Sequence, residues 1–291
     1  MEVIRTLPFR PRSLHPGKTI GFVPTMGYLH EGHLSLIRRA REENDVVVLS
    51  IFVNRLQFGP NEDFETYPRD EERDLAMARE AGVDYVLLPD VRVMYPRPML
   101  TKVQVSGITE RLCGASRPGH FEGVATVVLK LFNIVQPDRA YFGLKDLQQV
   151  AVVQRMVDDL NVPVEIVPCP TVREADGLAL SSRNVYLSDE ERRQALVLSE
   201  SLRKAQEWIE REEGLTVSGL KSRIERHIST APLARIDYVE VTVFPELREL
   251  EPDALVGGLL QQSPLAIALA VRFGRTRLID NVLIPKKGEG S

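Results

Sequence analysis

The stretch Thr19-Ile-Gly-Phe-Val-Pro-Thr-Met-Gly-Tyr-Leu-His-Glu-Gly-His33 decides the fold that we predict for this chain. Its apolar start, residues 19–24, ends at turn-forming residues and therefore predicts a short buried strand. Residues 33–42 have the apolar spacing of a helix. A strand that leads into a helix through a glycine-bearing turn is typical of the first half of a βαβ unit.

The same alternation of strand and helix continues as far as residue 171. An apolar, β-branched run at residues 45–53 suits a strand of a parallel sheet that is covered on both faces. Apolar runs predict further strands at 83–88, 139–142 and 164–167, and helical spacing predicts helices at 69–81, 122–135 and 146–160. We therefore predict an α/β domain, a doubly wound parallel sheet of Rossmann-like type, at residues 1–171.

The pattern changes after residue 171. Ser188, followed by three acidic residues, is a typical N-cap and predicts one long helix that runs to about residue 213. A second helix is predicted at 216–230, and alternating apolar and polar residues within 236–284 predict antiparallel strands. Residues 172–291 are thus predicted to form a smaller α+β C-terminal domain, which would act as a lid.

The composition favours a cytoplasmic protein. It is 43% hydrophobic and 27% charged, which is typical of soluble globular chains, and the net charge of -4 gives no support for a broad nucleic-acid surface. Residues 1–12 lack the apolar core of a signal peptide, and no charge-free stretch has the length of a membrane span. Cys113 and Cys169 are far apart and form no CxxC pair, so we interpret both as small buried apolar residues in a reducing compartment.

The turn that contains His30 and His33 is the first candidate site. Gly27 and Gly32 allow the backbone to approach a ligand closely, and the start of a helix favours anions. Because the histidines are three residues apart, they share one helix face and can donate hydrogen bonds to a phosphate as its charge grows. The alternatives are a tight turn with two incidental histidines, or a zinc site, for which the sequence suggests no third ligand.

Two later loops carry cations. In Phe142-Gly-Leu-Lys-Asp-Leu-Gln-Gln149, Lys145 can bind phosphates, Asp146 can cap the helix or accept from ribose hydroxyls, and Gln149 lies one turn further on. Helix capping alone is the simpler alternative. In residues 171–184, Ser181, Ser182 and Arg183 suit a polyphosphate, although an ordinary linker has the same composition.

Other polar segments give weaker signals. Asn54 and Gln57 follow the second strand and could bind hydroxyl and carboxylate groups. Residues 117–123 predict a loop on the substrate side of the sheet. The charged runs at 69–79 and 189–193 are interpreted as solvated helix faces.

Four strings resemble the pantothenate synthetase family in their order and spacing: PTMGYLHEGH, FVNRLQF, RPGHFEGVATVVLKLFNIVQPDRAYFGLKDLQQ and VREADGLALSSRN. They span about the first two-thirds of the chain. The HxGH element alone is shared by a wide nucleotidyltransferase superfamily, whereas the longer strings are more specific. One departure is Arg55, which stands where the family usually has proline and so removes a local backbone constraint.

The resemblance implies an AMP-forming pantoate–β-alanine ligase. ATP and pantoate would give pantoyl adenylate and pyrophosphate, and the amine of β-alanine would then displace AMP to give pantothenate. Mg²⁺ would accompany ATP, and the chain would form homodimers through its N-terminal domain. Two alternatives stay open: a nucleotidyltransferase that stops after nucleotide transfer, and a nucleotide-binding module without catalytic activity.

The resemblance also implies roles for individual residues. His33 would be the catalytic acid, with His30, Lys145 and Arg183 supplying further donors and cations. Gln57 and Gln149 would bind pantoate, and Gln57 would also face β-alanine. The residues implied to bind ATP are Met26, Gly27, Tyr28, Leu29, His30, Glu31, Gly32, His33, Gly143, Leu144, Lys145, Asp146, Val172, Leu180, Ser181, Ser182 and Arg183.

Overall fold

The computed structural model describes residues 1–60, 62 and 64–288. The chain divides into two compact units. The first comprises Met1–Leu144 and Val152–Val172, and the second comprises Lys145–Ala151 and Arg173–Ser291. The predicted boundary after residue 171 falls one residue before the end of the first unit. Among the residues described, no helix combines the length and the apolar character that crossing a bilayer requires.

The first unit contains a six-stranded parallel sheet in the order β1-β4-β3-β2-β5-β6. Its strands are β1 (Glu2–Ile4), β2 (Ile20–Thr25), β3 (Val46–Ile51), β4 (Tyr85–Leu87), β5 (Arg139–Gly143) and β6 (Glu165–Cys169). The predicted α/β fold with a doubly wound sheet is confirmed. The edge strand β1 was not predicted, because three residues are too few to show a period of two.

Helices cover both faces of this sheet. They are α1 (Pro11–Leu14), α2 (Glu31–Glu43), α3 (Glu71–Glu80), α4 (Val91–Met94), α5 (Cys113–Ser116), α6 (His120–Val135) and α7 (Leu147–Leu160), the last beginning with residues of the second unit. On one face, Val23 and Leu49 pack in a core cluster with Ile37 of α2. On the other, the ring of Phe22 meets Phe132 of α6 at 6.3 Å between centroids. The continuous apolar runs of β2 and β3 follow from this double coverage.

The second unit packs helices with an antiparallel sheet of three strands, β7 (Ala234–Val243), β8 (Leu265–Phe273) and β9 (Thr276–Ile284). Its helices are α8 (Asp189–Ala195), α9 (Val197–Arg211), α10 (Val217–Ile228) and α11 (Val256–Leu259). Leu202 of α9, Leu220 of α10 and Leu269 of β8 lie in one buried cluster. The predicted antiparallel strands within 236–284 are confirmed.

The single long helix predicted from Ser188 to about residue 213 is wrong. Ser188 does cap α8, but the helix ends at Ala195 and α9 begins at Val197. Ala195, Val197 and Leu198 are all buried. One straight helix would direct two of these, Ala195 and Val197, to opposite sides. A break at Leu196 lets both reach the core, and since neither Gly nor Pro occurs there, the local sequence contains no sign of it.

Candidate active site

The order of the strands reverses between β2 and β5. Moving along the chain, β3 and β4 lie on one side of β2, whereas β5 and β6 lie on the other. β2 and β5 pair directly, Gly21 with Arg139 and Phe22 with Ala140. Open α/β sheets bind ligands at such a switch point, beyond the carboxyl ends of the strands. The turn that carries His30 and His33 leaves β2 at this place, and Gly143 ends β5 beside it.

The turn after β2 is held in an uncommon backbone conformation. Gly27 has a φ of 82° and Tyr28 a φ of 52°, both in the left-handed region. A Cβ atom on Gly27 would lie 2.9 Å from Oδ2 of Asp74 and 2.9 Å from Cγ2 of Ile51, so only glycine fits. The backbone N–H groups of Tyr28 and Leu29 donate to the Asp74 carboxylate, at 2.7 Å and 2.6 Å.

The charged residues of 69–79 are exposed, as the interpretation of a solvated helix face requires, with the exception of Asp74. Its side chain lies on α3, but the residue is only 1% exposed and points at the turn after β2. Burial raises the pKa of the Asp74 carboxyl, and the two backbone N–H donors oppose this shift. Asp74 therefore fixes the position of the turn, a role that its sequence neighbours did not suggest.

His30 and His33 together cap the N-terminus of α2. His30 is the N-cap residue, and its Nδ1 accepts from the backbone N–H of Gly32 at 3.2 Å. Nδ1 of His33 accepts in turn from the backbone N–H of His30 at 3.3 Å, which completes a capping box. The two rings lie 4.1 Å apart between centroids. The prediction that both histidines share the start of one helix is confirmed.

The capping box sets the tautomer of both imidazoles. A nitrogen that accepts from a backbone N–H carries no proton, so Nδ1 is unprotonated in each neutral ring. The proton of each neutral ring then lies on Nε2. His30 and His33 therefore each present an N–H donor near the positive end of α2, an arrangement suited to a phosphate.

Gln57 lies at the carboxyl end of β3, in the 3₁₀ segment Arg55–Gln57. Nδ2 of Asn54 donates to Oε1 of Gln57 at 3.0 Å, and Nε2 of Gln57 donates to Sδ of Met26 at 3.2 Å. Arg55 is exposed, and its guanidinium lies 5.0 Å from the ring centroid of Phe64. Gln57 and Met26 are thus brought together in the first unit, on the turns after β3 and β2.

In the second unit, Lys145 and Asp146 belong to a 3₁₀ turn that precedes α7, and Gln149 lies on α7. Nδ2 of Asn281, on β9, donates to the backbone carbonyl of Lys145 at 2.9 Å. Sequence reasoning did not anticipate this contact, because Asn281 follows Lys145 by 136 residues in an ordinary strand pattern.

The segment that leads to Arg183 is braced by charged pairs within the second unit. Arg173 makes a two-pronged contact with Asp280, at 2.6 Å and 2.8 Å, and the Asp280 side chain is 3% exposed. Ser181 caps the 3₁₀ segment Ser182–Tyr186 by accepting from the backbone N–H of Arg183 at 3.3 Å. The backbone N–H of Gly177 donates to the backbone carbonyl of Glu174 at 2.8 Å in a tight turn, which explains the Asp176-Gly177 pair.

The other predicted site residues lie on the same segments. Glu31 and Gly32 are in the first turn of α2, Leu144 begins the 3₁₀ turn before α7, Val172 ends the first unit, and Leu180 precedes Ser181. Sequence reasoning missed Asp74 and Asn281, whose side chains bond to the backbone of loops that carry predicted site residues. Long-range contacts of this kind leave no local pattern.

Comparison with known proteins gives a consistent result. The family model for pantoate-beta-alanine ligase matches residues 3–283. A pantothenate synthetase from Geobacillus kaustophilus is 58% identical over 275 residues, which cover 94% of this chain and 89% of that protein. One from Acetivibrio thermocellus is 59% identical over 268 residues, covering 92% of each.

Solved structures agree with this result. The crystal structure of pantothenate synthetase from Thermus thermophilus has a TM-score of 0.88 and 50% identity, covering 97% of this chain and 99% of that one. A pantoate-beta-alanine ligase from Francisella tularensis, crystallised with beta-gamma ATP and beta-alanine, has a TM-score of 0.74 and 35% identity, with 97% of both chains covered. With a family model that spans nearly its whole length, this chain belongs to the pantoate–β-alanine ligase family.

Proposed function

We propose that this protein is an ATP-dependent ligase that condenses pantoate with β-alanine through a pantoyl-adenylate intermediate. The observation that carries the proposal is the pair His30 and His33, whose rings cap the N-terminus of α2 at the switch point of the sheet. This geometry suits an anionic phosphate. The family to which the chain belongs is that of pantoate-beta-alanine ligase, and its description identifies pantoate and β-alanine as the two substrates to be joined.

In the first step, a carboxylate oxygen of pantoate attacks the α-phosphorus of ATP, the bond to the β-phosphate oxygen breaks, and pyrophosphate leaves. We assign His33 as the catalytic acid-type donor, with His30 beside it, and Lys145 and Arg183 as cations for the phosphates. The substrate carboxylate is itself the nucleophile, so the residues contribute positioning and charge stabilisation.

In the second step, the amine of β-alanine attacks the acyl carbon, the bond from that carbon to the AMP oxygen breaks, and the amine loses a proton. Gln57 and Gln149 are proposed to bind pantoate, with Gln57 also facing β-alanine. The side-chain amide of Gln57 offers both a donor and an acceptor, which suits the hydroxyl and carboxylate groups of pantoate. The fixed contacts of Gln57 with Asn54 and Met26 support this assignment.

The remaining proposed ATP contacts come from residues of the same loops. Backbone groups and small or apolar side chains would line the nucleotide, and Asp146 is available for the ribose hydroxyls. These residues are Met26, Gly27, Tyr28, Leu29, Glu31, Gly32, Gly143, Leu144, Val172, Leu180, Ser181 and Ser182.

An isotope-exchange assay tests this function. Wild-type protein should exchange labelled pyrophosphate into ATP when pantoate is present and β-alanine is absent. AMP and pantothenate should accumulate only after β-alanine is added. Exchange that needs no pantoate but requires a second nucleotide would favour a nucleotidyltransferase. ATP binding without turnover of any acid would favour a module without catalytic activity.

Mg²⁺ is proposed to enter with ATP. Within residues 1–60, 62 and 64–288, no group of three or more His, Cys, Asp or Glu side chains is placed to hold a metal. Mg²⁺ usually keeps several waters and is bound by substrate phosphates with one or two carboxylates, so a dedicated protein cage is not needed. The phosphates would therefore hold the ion. When bound, it would neutralise phosphate charge.

A homodimer is proposed from an exposed apolar segment of the first unit. Leu100 is 96% exposed and lies within residues 98–106, all of which are described and none of which belongs to a helix or strand. Leu100 is the most exposed large hydrophobic side chain among the described residues, and we propose that a second copy of the chain covers it. A cytoplasmic location is proposed as well, because a sequence with only two cysteines, far apart and outside any CxxC pair, fits a reducing compartment.

The Leu100→Asp variant should convert the dimer to a monomer, because a charge at an apolar contact has to lose its water. Light scattering coupled to gel filtration would measure the mass. Leu160→Asp is the matched control, since Leu160 is also exposed but lies at the end of α7. A wild-type protein that is monomeric at micromolar concentration would contradict the proposal.

Asn281→Ala should raise the KM for ATP about fivefold, the effect of losing a single hydrogen bond of average strength. The variant removes the donor that holds the carbonyl of Lys145. Thr242→Val is the control, because Thr242 likewise donates to a backbone carbonyl, that of Arg248, in the same sheet. Steady-state kinetics with varied ATP would decide, and equal effects of the two variants would contradict a specific role for Asn281.

A further inference from the structure

Three linked side chains of the first unit lead to the backbone carbonyl of Gln57. Nδ1 of His120 lies 2.8 Å from this oxygen, and Nη2 of Arg117 donates to it at 3.4 Å. Arg117 makes a two-pronged ion pair with Glu62, at 2.7 Å from Nε and 2.6 Å from Nη2. We call Glu62, Arg117 and His120 the carbonyl triad. Residues 117–123, predicted to be a loop, in fact become helix α6 from His120 onward.

The contacts of His120 require one protonation state. A carbonyl oxygen only accepts, so Nδ1 of His120 has to carry a proton. Nη1 of Arg117 lies 3.0 Å from Nε2 of His120, and a guanidinium only donates, so Nε2 has to accept. Both contacts are satisfied only by the neutral ring with its proton on Nδ1. Arg117 thus orients His120, and His120 donates to Gln57.

Glu62 fixes Arg117 in turn. Each of its two carboxylate oxygens accepts from the guanidinium, which is the strongest and most directional form of this ion pair. Both side chains are largely shielded, with 19% of Arg117 and 24% of Glu62 exposed. Burial alone would raise the pKa of the Glu62 carboxyl, but Arg117 outweighs it and keeps that pKa below its usual value.

The carbonyl of Gln57 is therefore held separately from its side chain. Asn54 holds the side-chain oxygen, and the same Nδ2 of Asn54 donates to the carbonyl of Gly123 on α6 at 3.1 Å. A Cβ atom on Gly123 would lie 2.2 Å from the carbonyl oxygen of Leu56 and 2.6 Å from the backbone nitrogen of Gln57. Helix α6 is thus packed closely against the segment that carries Gln57, and His120 is the first residue of the same helix.

We propose that Glu62, Arg117 and His120 are positioning residues that hold the backbone of Gln57 so that its side-chain amide meets pantoate. The inference rests on the proposed role of Gln57. The carbonyl triad lies in the first unit and takes no direct part in either chemical step. Its loss should therefore weaken the binding of pantoate and leave the binding of ATP unchanged.

Kinetics of His120 variants test the proposal. His120→Ala should raise the KM for pantoate about fivefold while the KM for ATP stays within about twofold, since one hydrogen bond is lost. His120→Asn should recover most of the pantoate KM, because its Nδ2 can replace the Nδ1 donor. Glu62→Gln, which keeps size but removes the charge that fixes Arg117, should give an intermediate effect. His15→Ala is the control, since the ring of His15 bonds to the hydroxyl of Tyr85 on β4 and should change neither KM.

A double-mutant cycle separates positioning from general damage. In a Gln57→Ala background, adding His120→Ala should cause no further rise in the pantoate KM. The reason is that His120 affects pantoate only through the side chain of Gln57, which this background lacks. Additive effects, or equal rises in both KM values, would overturn the proposal. If His120→Ala does not fold, His120→Asn and Glu62→Gln carry the same test. A wild type that binds ATP but not pantoate by calorimetry would instead overturn the proposed function.

Discussion

The His33→Ala variant should lose pantoate-dependent pyrophosphate exchange by a factor of about 10² to 10⁴, the usual contribution of a positioned acid or base. In the proposed mechanism, His33 at the N-terminus of α2 would donate a proton or hydrogen bond where negative charge develops on the departing phosphates. The measurement is the isotope exchange in the absence of β-alanine, which reports adenylate formation alone.

A second variant separates the chemical role of His33 from its structural one. His33 also accepts from the backbone N–H of His30, so alanine should lower the free energy of unfolding by about 1 kcal/mol, as other lost caps do. Glutamine is a preferred residue at this position of a capping box, so His33→Gln should regain that stability but not the activity. His33→Ala protein with near-normal exchange would remove His33 from the mechanism.

The Asp74→Ala variant should lower the free energy of unfolding by about 3 kcal/mol, since the N–H groups of Tyr28 and Leu29 lose a charged acceptor in a buried place. The turn after β2 would also be released from its left-handed conformation at Tyr28, so adenylate formation should fall strongly even in the folded fraction. Urea unfolding and the exchange assay measure the two effects. Asp70→Ala is the comparison variant, because Asp70 is exposed and only caps α3.

The Asp74 carboxyl should also make the free energy of unfolding depend on pH. Because burial raises its pKa in the folded state, the folded protein binds more protons than the unfolded one between the ordinary aspartate pKa and the raised value. The free energy of unfolding should therefore fall as the pH rises through that interval. Asp74→Asn should lack this step. An identical pH profile in the variant would contradict the assignment.

The parts of the fold that follow from local periodicity were predictable. The β-branched run of β3 and the glycine after α3 each identify their element, because burial on two faces and a left-handed C-cap demand those residue types. The break at Leu196 was not predictable, because it results from the packing of the residues on both sides of it and not from a local Gly or Pro.

Some residues of the candidate site were likewise predictable from local sequence, and others were not. His30 and His33 stand in a recognisable turn, so their shared helix end could be predicted. Asp74, His120 and Asn281 act through contacts with residues 45, 63 and 136 positions away, for Leu29, Gln57 and Lys145 respectively. No periodicity links such distant positions, so only the folded chain reveals which loops they hold.

The capping of α2 by two imidazoles limits how this protein can be engineered for heat resistance. Serine, aspartate or threonine at the first position and glutamate at the fourth would normally be chosen to strengthen a helix start. Here the residues that cap the helix are also the proposed catalytic groups. Each such substitution at His30 or His33 would therefore give a more stable but inactive protein. Stabilising substitutions should instead be sought in the second unit, for example around the helix break at Leu196.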